Sequence, residues 1–403
     1  MTQTEKIADK APEEGQQAGR GGWPAVAAVA GATFTVVTSE MLPVGLLTSI
    51  GHTLHVSEGT AGLTLTITGL VGAATAPLLT PLLGRLDRRV LLCSMMALLV
   101  LGNLLAAWAP NFGVMVVARV IIGIGMGVVW AVAAGLAVRL VSGTAIGPAT
   151  SLIFSGIAVA SVLGVPAGTY IGELADWRAA FAVIAALAVV VLIALAALLP
   201  PLPAEQVIRL GGVLKLIGNP RVATGLAVVA LLVTGHFAAY TYVRPVLEEI
   251  SEVSPTVIGT LLLVYGVAGV LGNFAASAGA GRSPRGTLLV IALVLAATVG
   301  LLPLLGGSVL TAGVLLAVWG LSYGGVSVST QTWLLAAAPQ AREAAASLFV
   351  GVFNGAIALG ALAGGLTADG AGIEAVMWLG GGLALAALLV AALGRAPENG
   401  QLG

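Results

Sequence analysis

The chain has 403 residues, of which 58% are apolar and only 8% are charged, and its formal net charge is zero. Soluble globular proteins carry roughly 25% charged residues, so this chain has too little charge to cover a water-exposed surface. The zero net charge gives no indication of a nucleic-acid partner. The single cysteine, Cys93, excludes an intramolecular disulfide, and we predict neither a metal centre nor a cofactor.

Residues 1–22 are polar and of mixed charge, without the apolar stretch of a signal peptide, so we expect a disordered tail there. Twelve apolar stretches follow, each long enough to cross roughly 30 Å of hydrocarbon as a helix. Their predicted bounds are Trp23–Ile50, Thr60–Gly84, Val90–Ala109, Phe112–Val138, Pro148–Gly172, Ala179–Leu199, Val222–Leu247, Pro255–Gly279, Gly286–Leu305, Val309–Ala336, Ala344–Ala368 and Gly372–Leu393.

A polar interval at residues 200–221, rich in proline and arginine, divides the spans six and six. We therefore predict an all-α membrane protein with a first half at 23–199, a linker at 200–221, a second half at 222–393 and a tail at 394–403. Fourteen of the 17 lysines and arginines fall on the side of the two termini. Because positive loops stay inside, we predict that both termini are cytoplasmic.

The two halves resemble each other in sequence. Pro43-Val44 matches Pro245-Val246, and pairs of glycines repeat in the same order in the fourth and tenth, and in the fifth and eleventh, spans. With six spans each, the halves share one orientation, so a pseudo-two-fold axis along the membrane normal relates them. This arrangement is typical of transporters with a central cavity between the halves.

Three ionisable residues stand out well inside the predicted spans: Glu40, Arg119 and His236. Such residues are costly in a membrane and often functional, and the helix rise places all three roughly 10–15 Å from the ends of their helices on the side away from the termini. We predict that Glu40 carries a proton, with Arg119 and His236 close to it. The alternatives are a permanent Glu40–Arg119 ion pair and a neutral, hydrogen-bonding His236.

Other polar and aromatic residues in the spans are predicted to face a solute cavity, or else to join helices together. Aromatic rings mixed with hydrogen-bonding groups suit an organic solute better than a bare ion. The predicted cavity residues are Thr68, Met126, Trp130, Tyr240, Tyr265, Asn273, Trp319, Tyr323, Ser327, Gln331, Phe353 and Asn354.

Several motifs resemble those of the major facilitator superfamily. The loop Gly84-Arg85-Leu86-Asp87-Arg88-Arg89 is similar to its cytoplasmic arginine-rich turn, although Gly84 stands where an Asp is usual. Gly164-Val165-Pro166-Ala167-Gly168 resembles its fifth-helix antiporter motif, and Arg119 with Gly123 its fourth-helix motif. Thr38 to Leu47, His236 to Pro245 and Gly351 to Gly355 resemble the sugar efflux transporters of the drug:proton antiporter subgroup.

This resemblance implies proton-coupled export of a small organic solute, a sugar-like compound or a drug such as chloramphenicol, by alternating access. It implies a monomer in the cytoplasmic (inner) membrane, with protons and the solute as its partners. Arg85, Asp87, Arg88 and Arg89 would form a cytoplasmic gate or serve only as a topological anchor. Gly164, Pro166 and Gly168 would make a bendable helix or only a closely packed one. The remaining alternatives are an uncoupled facilitator or importer and, less in keeping with the sequence, a membrane sensor or enzyme.

Overall fold

The computed structural model describes residues 11–82, 86–133, 136–142, 145–203 and 214–395. Helices make up nearly all of this part of the chain and no strand occurs in it, which confirms the predicted all-α class. The helices are α1 Ala11–Met41, α2 Leu47–Leu54, α3 Glu58–Leu82, α4 Arg88–Ala107, α5 Phe112–Ala133, α6 Ala137–Leu140, α7 Ile146–Leu174, α8 Trp177–Leu198, α9 Pro220–Tyr240, α10 Val243–Glu249, α11 Pro255–Arg282, α12 Pro284–Leu305, α13 Val309–Gly324, α14 Val326–Ala337, α15 Arg342–Ala371 and α16 Ile373–Leu393.

Eleven helical stretches in the described residues are long and apolar enough to cross a membrane, so the predicted count of twelve is not fully reproduced. The span predicted at Thr60–Gly84 corresponds to α3, which is not among the eleven and whose side chains after Thr75 lie outside the description. Helix α1 begins at Ala11, inside the segment assigned above to the tail. Residues 204–213 of the predicted linker also lie outside the description.

The helices sort into two groups by their packing. Helices α1, α3, α4, α5, α7 and α8 pack on one another, and helices α9, α11, α12, α13, α14, α15 and α16 do the same. The main contacts between the groups are α3 with α15 and α7 with α11. Each group supplies one helix to each contact, as expected for two repeated halves facing each other across an axis.

The bundle has two chemically different ends. We term the end that carries α2, α10 and Glu58 the acidic end, and the end that carries Asp87 and the first turns of α4 and α9 the arginine-rich end. The two halves touch at the acidic end, where Tyr170 bonds to Thr260. They still touch further down, where Gly69 faces Ala358 and Gly266 faces Val162. The interface is therefore closed from the acidic end to about the middle of the helices.

Two spans are interrupted near the acidic end, at equivalent places of the repeat. The first changes from α1 to a 3-10 segment, Leu42–Leu46, before α2 begins. The second passes from α9 through a turn at Thr241-Tyr242 into α10. Pro43 and Pro245 lie just beyond these breaks. Proline lacks an amide proton, so inside a helix it removes a hydrogen bond and can kink or break the helix, which is consistent with the interruption of both spans at these positions.

Small residues bring α7 against α1 and α15 against α9. Along α7, Gly156, Gly164, Gly168 and Gly172 each face a residue of the first span, and Gly360 and Gly364 on α15 face α9 in the same manner. Close approach of this kind supplies packing in lipid, where hydrophobicity does not drive helices together. Helix α7 continues without interruption through Pro166. In this structure the Gly164, Pro166 and Gly168 motif serves helix packing.

Gly360→Ala tests this packing. A methyl group at Gly360 would lie 2.5 Å from the carbonyl oxygen of Thr234 on α9, and overpacking of that kind costs about 1–3 kcal/mol. We expect a lower melting temperature for the detergent-purified protein. The matched control is Gly355→Ala on the same helix, where an added methyl meets no atom within 4 Å. Equal melting temperatures for the two variants would contradict the proposed packing.

Candidate functional site

Arg119 caps the break in the first span. Its side chain is fully buried on α5, and its guanidinium donates from Nη1 to the Ser39 carbonyl and from Nη2 to the Glu40 carbonyl, each at 2.9 Å. The Ser39 carbonyl would ordinarily accept a bond from the amide four residues on, but that residue is Pro43. A third bond, from Nε to the Thr64 carbonyl at 2.9 Å, ties α3 to the same point.

Among the described residues, none forms an ion pair with Glu40. Its side chain is 4% exposed, and its Oε1 is buried without a hydrogen-bond partner. Among the described residues, no ion pair joins it to Arg119, although the two are close enough to interact electrostatically. The ion pair considered above as an alternative is therefore absent here, because the arginine binds the Glu40 backbone instead.

His236 belongs to a separate cluster in the second half. The indole N–H of Trp319 donates to His236 Nδ1 at 3.0 Å, and an indole nitrogen can only donate. Nδ1 is therefore unprotonated and the imidazole is neutral, with its proton on Nε2. The Tyr265 hydroxyl lies 3.5 Å from Nε2. No described hydrogen bond or ion pair connects His236 to Glu40 or Arg119, so the three ionisable residues do not form one network.

Aromatic rings surround this imidazole. The ring of Tyr323 stacks on it with centroids 3.3 Å apart, and the ring of Tyr240 with centroids 5.0 Å apart. Tyr265 stacks on Tyr240 at 4.7 Å, while Trp319 and Phe237 meet the histidine edge-on. We term these residues the aromatic cluster: His236, Phe237, Tyr240, Tyr265, Trp319 and Tyr323. The Tyr323 hydroxyl is buried without a partner.

Two of the predicted cavity residues join helices within the first half. Thr68 is buried and donates to the Thr64 carbonyl at 2.9 Å and to the Arg119 carbonyl at 3.3 Å. Met126 is buried on α5 with its methyl group against Gly72 of α3. Trp130 is half-buried and its Nε1 has no partner. Thr68 and Met126 therefore lie in the packed interface between α3 and α5.

A second set of predicted cavity residues lies on open surface. Ser327 and Gln331 on α14 and Asn273 on α11 are exposed, and Phe353 and Asn354 on α15 are half-buried. Gly355, beside Asn354, faces open space. Polar side chains within a span avoid lipid and face water-filled cavities or other helices. The exposure of these residues is compatible with a solute cavity, and their place in its wall stays a prediction.

The arginine-rich loop is tied to its own half. The Asp87 carboxylate caps α4 by accepting from the amides of Arg89, at 2.8 Å, and Val90, at 3.4 Å. The Arg89 guanidinium donates to the Ala196 carbonyl at the end of α8, and the Arg88 amide donates to the Leu202 carbonyl at 2.9 Å. The fourth residue of the predicted gate, Arg85, lies outside the described residues.

Arg244 has a structural role that the sequence analysis missed, since we counted it only as a loop charge. It is 3% exposed and lies on α10, just after the break in the seventh predicted span. Its guanidinium contacts Glu173, Glu248 and the Gly45 carbonyl. Arg178 and Arg244 are the two arginines in an otherwise acidic set of loops, which was the available signal.

Carboxyl groups from both halves meet at the acidic end. The Asp369 carboxylate on α15 accepts from the Ser57 hydroxyl at 2.8 Å and from the Gly59 amide at 3.0 Å, so it caps α3 across the interface. Glu58 stands next to it, ahead of the span predicted from Thr60. Burial raises the pKa of Glu58 to about 7, and the charges of Glu249, Glu248 and Asp369 raise it as well.

Comparison with known sequences yields one family and several full-length relatives. A sequence model of the Major Facilitator Superfamily matches residues 29–347 and 229–402. The Transcription regulatory protein OpdE of Pseudomonas aeruginosa is 34% identical over 396 residues, which cover 97% of this chain and 98% of the relative. The Purine ribonucleoside efflux pump NepI of Salmonella paratyphi B is 32% identical over 388 residues, covering 96% and 97% of the two chains.

Solved structures share the fold at low sequence identity. The nucleoside transporter NupG superposes with a TM-score of 0.74 at 13% identity, covering 91% of this chain and 98% of NupG. The human organic anion transporter MFSD10 (TETRAN) superposes with a TM-score of 0.64 at 18% identity, covering 92% and 99%. At these identities the similarity is evidence for the fold alone, and it agrees with the predicted membrane-transporter architecture.

Glu58→Gln should stabilise the protein in a pH-dependent way. Because the folded structure raises the pKa of Glu58 from 4.5 to about 7, folding favours its protonated form, and the native state loses stability as the pH rises from about 4.5 to about 7. We expect Glu58→Gln to raise the melting temperature by a few degrees at pH 8 and to leave it unchanged at pH 4. An equal shift at both pH values would contradict this interpretation, and Glu252→Gln, at an exposed position, is the control.

Proposed function

Since the chain belongs to the major facilitator superfamily, we propose that this multi-pass membrane transporter exports a purine-nucleoside-like solute in exchange for protons. The relatives support export, because NepI proteins are named purine ribonucleoside efflux pumps and span nearly the whole chain. They also narrow the solute class from the sugar or drug expected above to a sugar joined to a planar base. The two halves would expose the solute cavity alternately to each side of the membrane.

The observation that carries the proton coupling is the unpartnered carboxyl of Glu40. A buried carboxylate without a partner is costly, and protonation removes the charge. The charge of the nearby Arg119 lowers this cost, but three of its N–H groups donate to the Ser39, Glu40 and Thr64 carbonyls and none to the Glu40 carboxylate. A conformation that exposes Glu40 to water would favour the ionised form. Alternation between the two conformations would therefore take up a proton on one side and release it on the other.

The aromatic cluster supports a planar substituent on the solute. Heteroaromatic bases stack on tyrosine and tryptophan rings, and offset stacking contributes about 0.5–1.5 kcal/mol per ring pair. Tyr323 belongs to the cluster and stands one helical turn above Ser327, with Gln331 a further turn below on the same face. A base against Tyr323 and a ribose toward Ser327 and Gln331 would match this order of apolar and polar groups. His236 would serve in the cluster as a neutral hydrogen-bonding group.

An uncoupled facilitator and an importer remain as alternatives on the same fold. All three modes need two halves and a cavity, so the helix packing does not separate them. They differ in whether a carboxyl changes protonation during the cycle. The state of Glu40 favours the coupled exchanger, and the response of transport to a pH gradient separates the three.

A regulatory function is a second candidate, because the relative OpdE is named a transcription regulatory protein. The zero net charge of the chain gives no indication of a nucleic-acid partner. A transporter can change gene expression by altering the internal concentration of an inducer. Under this proposal, regulation would follow from transport, and a variant that cannot transport would also fail to regulate.

Glu40→Gln should abolish proton-driven export. In liposomes, we expect the nucleoside flux that a pH gradient drives to be at least about tenfold lower for the purified variant than for the parent. Nucleoside exchange without a gradient should continue, since the neutral side chain still fits the site. The control Glu252→Gln, at an exposed acidic position, should behave as the parent. Parental gradient-driven flux in Glu40→Gln would exclude Glu40 as the proton carrier.

Tyr323→Ala should weaken recognition of the base. Loss of one stacking ring should raise the KM for a purine nucleoside by up to about tenfold. Tyr323→Phe keeps the ring and removes a hydroxyl that has no partner, so its KM should stay near the parental value. Inhibition of nucleoside transport by free ribose separates sugar recognition from base recognition. The inhibition constant of ribose should be unaffected by Tyr323→Ala. Equal KM values for Tyr323→Ala and the parent would exclude this ring from the solute site.

A further inference from the structure

Arg244 joins the two halves at the acidic end through two of its three nitrogens. Nη1 donates to the Gly45 carbonyl at 2.7 Å and Nη2 to Glu173 Oε1 at 2.6 Å, both in the first half. Nε donates to Glu248 Oε1 at 2.8 Å within its own helix α10. A guanidinium carries five donors in a fixed fork. The orientation of the guanidinium is therefore fixed by one partner on its own helix and two partners in the other half.

Glu248 extends this contact to α2. Its second oxygen, Oε2, accepts a bond from the Thr48 hydroxyl at 2.8 Å, so the carboxylate both orients Arg244 and touches the first half. Glu173 lies in the last turn of α7 and is partly exposed. We term Gly45, Thr48, Glu173, Arg244 and Glu248 the Arg244 latch. It connects the interrupted first span, the end of α7 and the interrupted seventh span.

The latch shares the first-span break with the proton site. Gly45 lies in the 3-10 segment Leu42–Leu46. This segment begins two residues after Glu40, whose carbonyl Arg119 caps. The break is thus capped by two arginines, Arg119 from its own half and Arg244 from the opposite half. The Thr169 hydroxyl is a weaker third donor, 3.4 Å from the Gly45 carbonyl. Any separation of the halves at the acidic end removes the second of these caps and leaves the first.

We propose that the Arg244 latch holds the acidic end of the transporter closed and must open each time the solute leaves on that side. This inference rests on the alternating cycle of the proposed function. In the closed arrangement Arg244 is the cation that both Glu173 and Glu248 contact. Without Arg244, both carboxylates would face a closed interface with no cation, which disfavours closure. In the open arrangement water solvates all three groups, so opening does not leave a charge stranded.

The latch also connects opening with proton exchange. The Gly45 carbonyl and the Glu40 carboxyl belong to the same short interruption of one span, five residues apart. Withdrawal of Arg244 from Gly45 would free that interruption to move and would open the path from Glu40 to the acidic end. The latch therefore couples solute release on this side with access of water to the proton site, without any direct contact between Arg244 and Glu40.

Distances between spin labels on the two halves test the latch. The labels replace Thr53 on α2 and Thr256 on α11, which are both exposed at the acidic end, in a Cys93→Ser background that removes the single native cysteine. We expect the detergent-purified parent protein to show a dominant short distance. Arg244→Ala should raise the ratio of long-distance to short-distance populations by at least about tenfold, as expected for loss of one partner of a buried charge pair.

The matched control is Arg178→Ala. Arg178 is the other arginine of the acidic end, but it contacts Asp176 and the Ala109 carbonyl in its own half, so its loss should leave the distances unchanged. Arg244→Lys should give an intermediate population, because lysine keeps the charge and loses the fork. Parental distances in a monodisperse Arg244→Ala protein would overturn the proposal.

Glu173→Gln keeps the test decisive if Arg244→Ala does not fold. This variant removes only the charge that Arg244 meets across the interface, so we expect a smaller shift toward long distances. Parental distances in Glu173→Gln would then overturn the latch. The measurement uses neither solute nor a pH gradient, so its outcome is independent of whether Glu40→Gln abolishes proton-driven export. If the distances change as expected but Glu40→Gln keeps parental gradient-driven flux, the proposed proton coupling is rejected and the Arg244 latch is retained.

Discussion

The break in the first span is the constraint around which the acidic end of the molecule is built. Pro43 cannot donate to the Ser39 carbonyl, and the backbone polar groups of a membrane helix must be satisfied within the protein. Arg119 supplies the missing donors from α5, and Arg244 donates to the Gly45 carbonyl of the same segment from the other half. Both arginines thereby bind the backbone of the first span, and among the described residues neither forms an ion pair with the Glu40 carboxylate.

This arrangement separates two roles that a simple Glu–Arg pair would combine. A permanent pair would join helices and hold the carboxyl ionised in every conformation. With Arg119 committed to carbonyls, the proposed proton exchange at Glu40 would leave the architecture around the carboxyl intact. The aromatic cluster is organised independently in the second half, where Trp319 orients a neutral His236. Under the proposed function, proton exchange and solute recognition would therefore occupy different halves of the transporter.

The packing of the helices follows from the scarcity of polar surface. Glycine rows on α7 and α15 bring these helices against the two interrupted spans, so close contact replaces the hydrophobic drive that a soluble protein would have. The contacts between the halves, of α3 with α15 and of α7 with α11, extend only from the acidic end to about the middle of the helices. An interface of this kind can part at one end while each half keeps its internal packing.

The sequence by itself determined the class of the protein, the approximate spans and the repeat of the two halves, because hydrophobic length and repeated local motifs can be read along the chain. It did not predict the two helix breaks, since both spans were expected to continue through Pro43 and Pro245. It also identified Glu40, Arg119 and His236 as unusual. Only the tertiary structure decided which partners they have. These helices are apolar on nearly every side, so their sequence periodicity does not fix how each is rotated or shifted against its neighbours. A shift of one residue would change whether Arg119 meets the Glu40 carboxylate or its backbone, and whether Arg244 remains a loop charge or closes the interface.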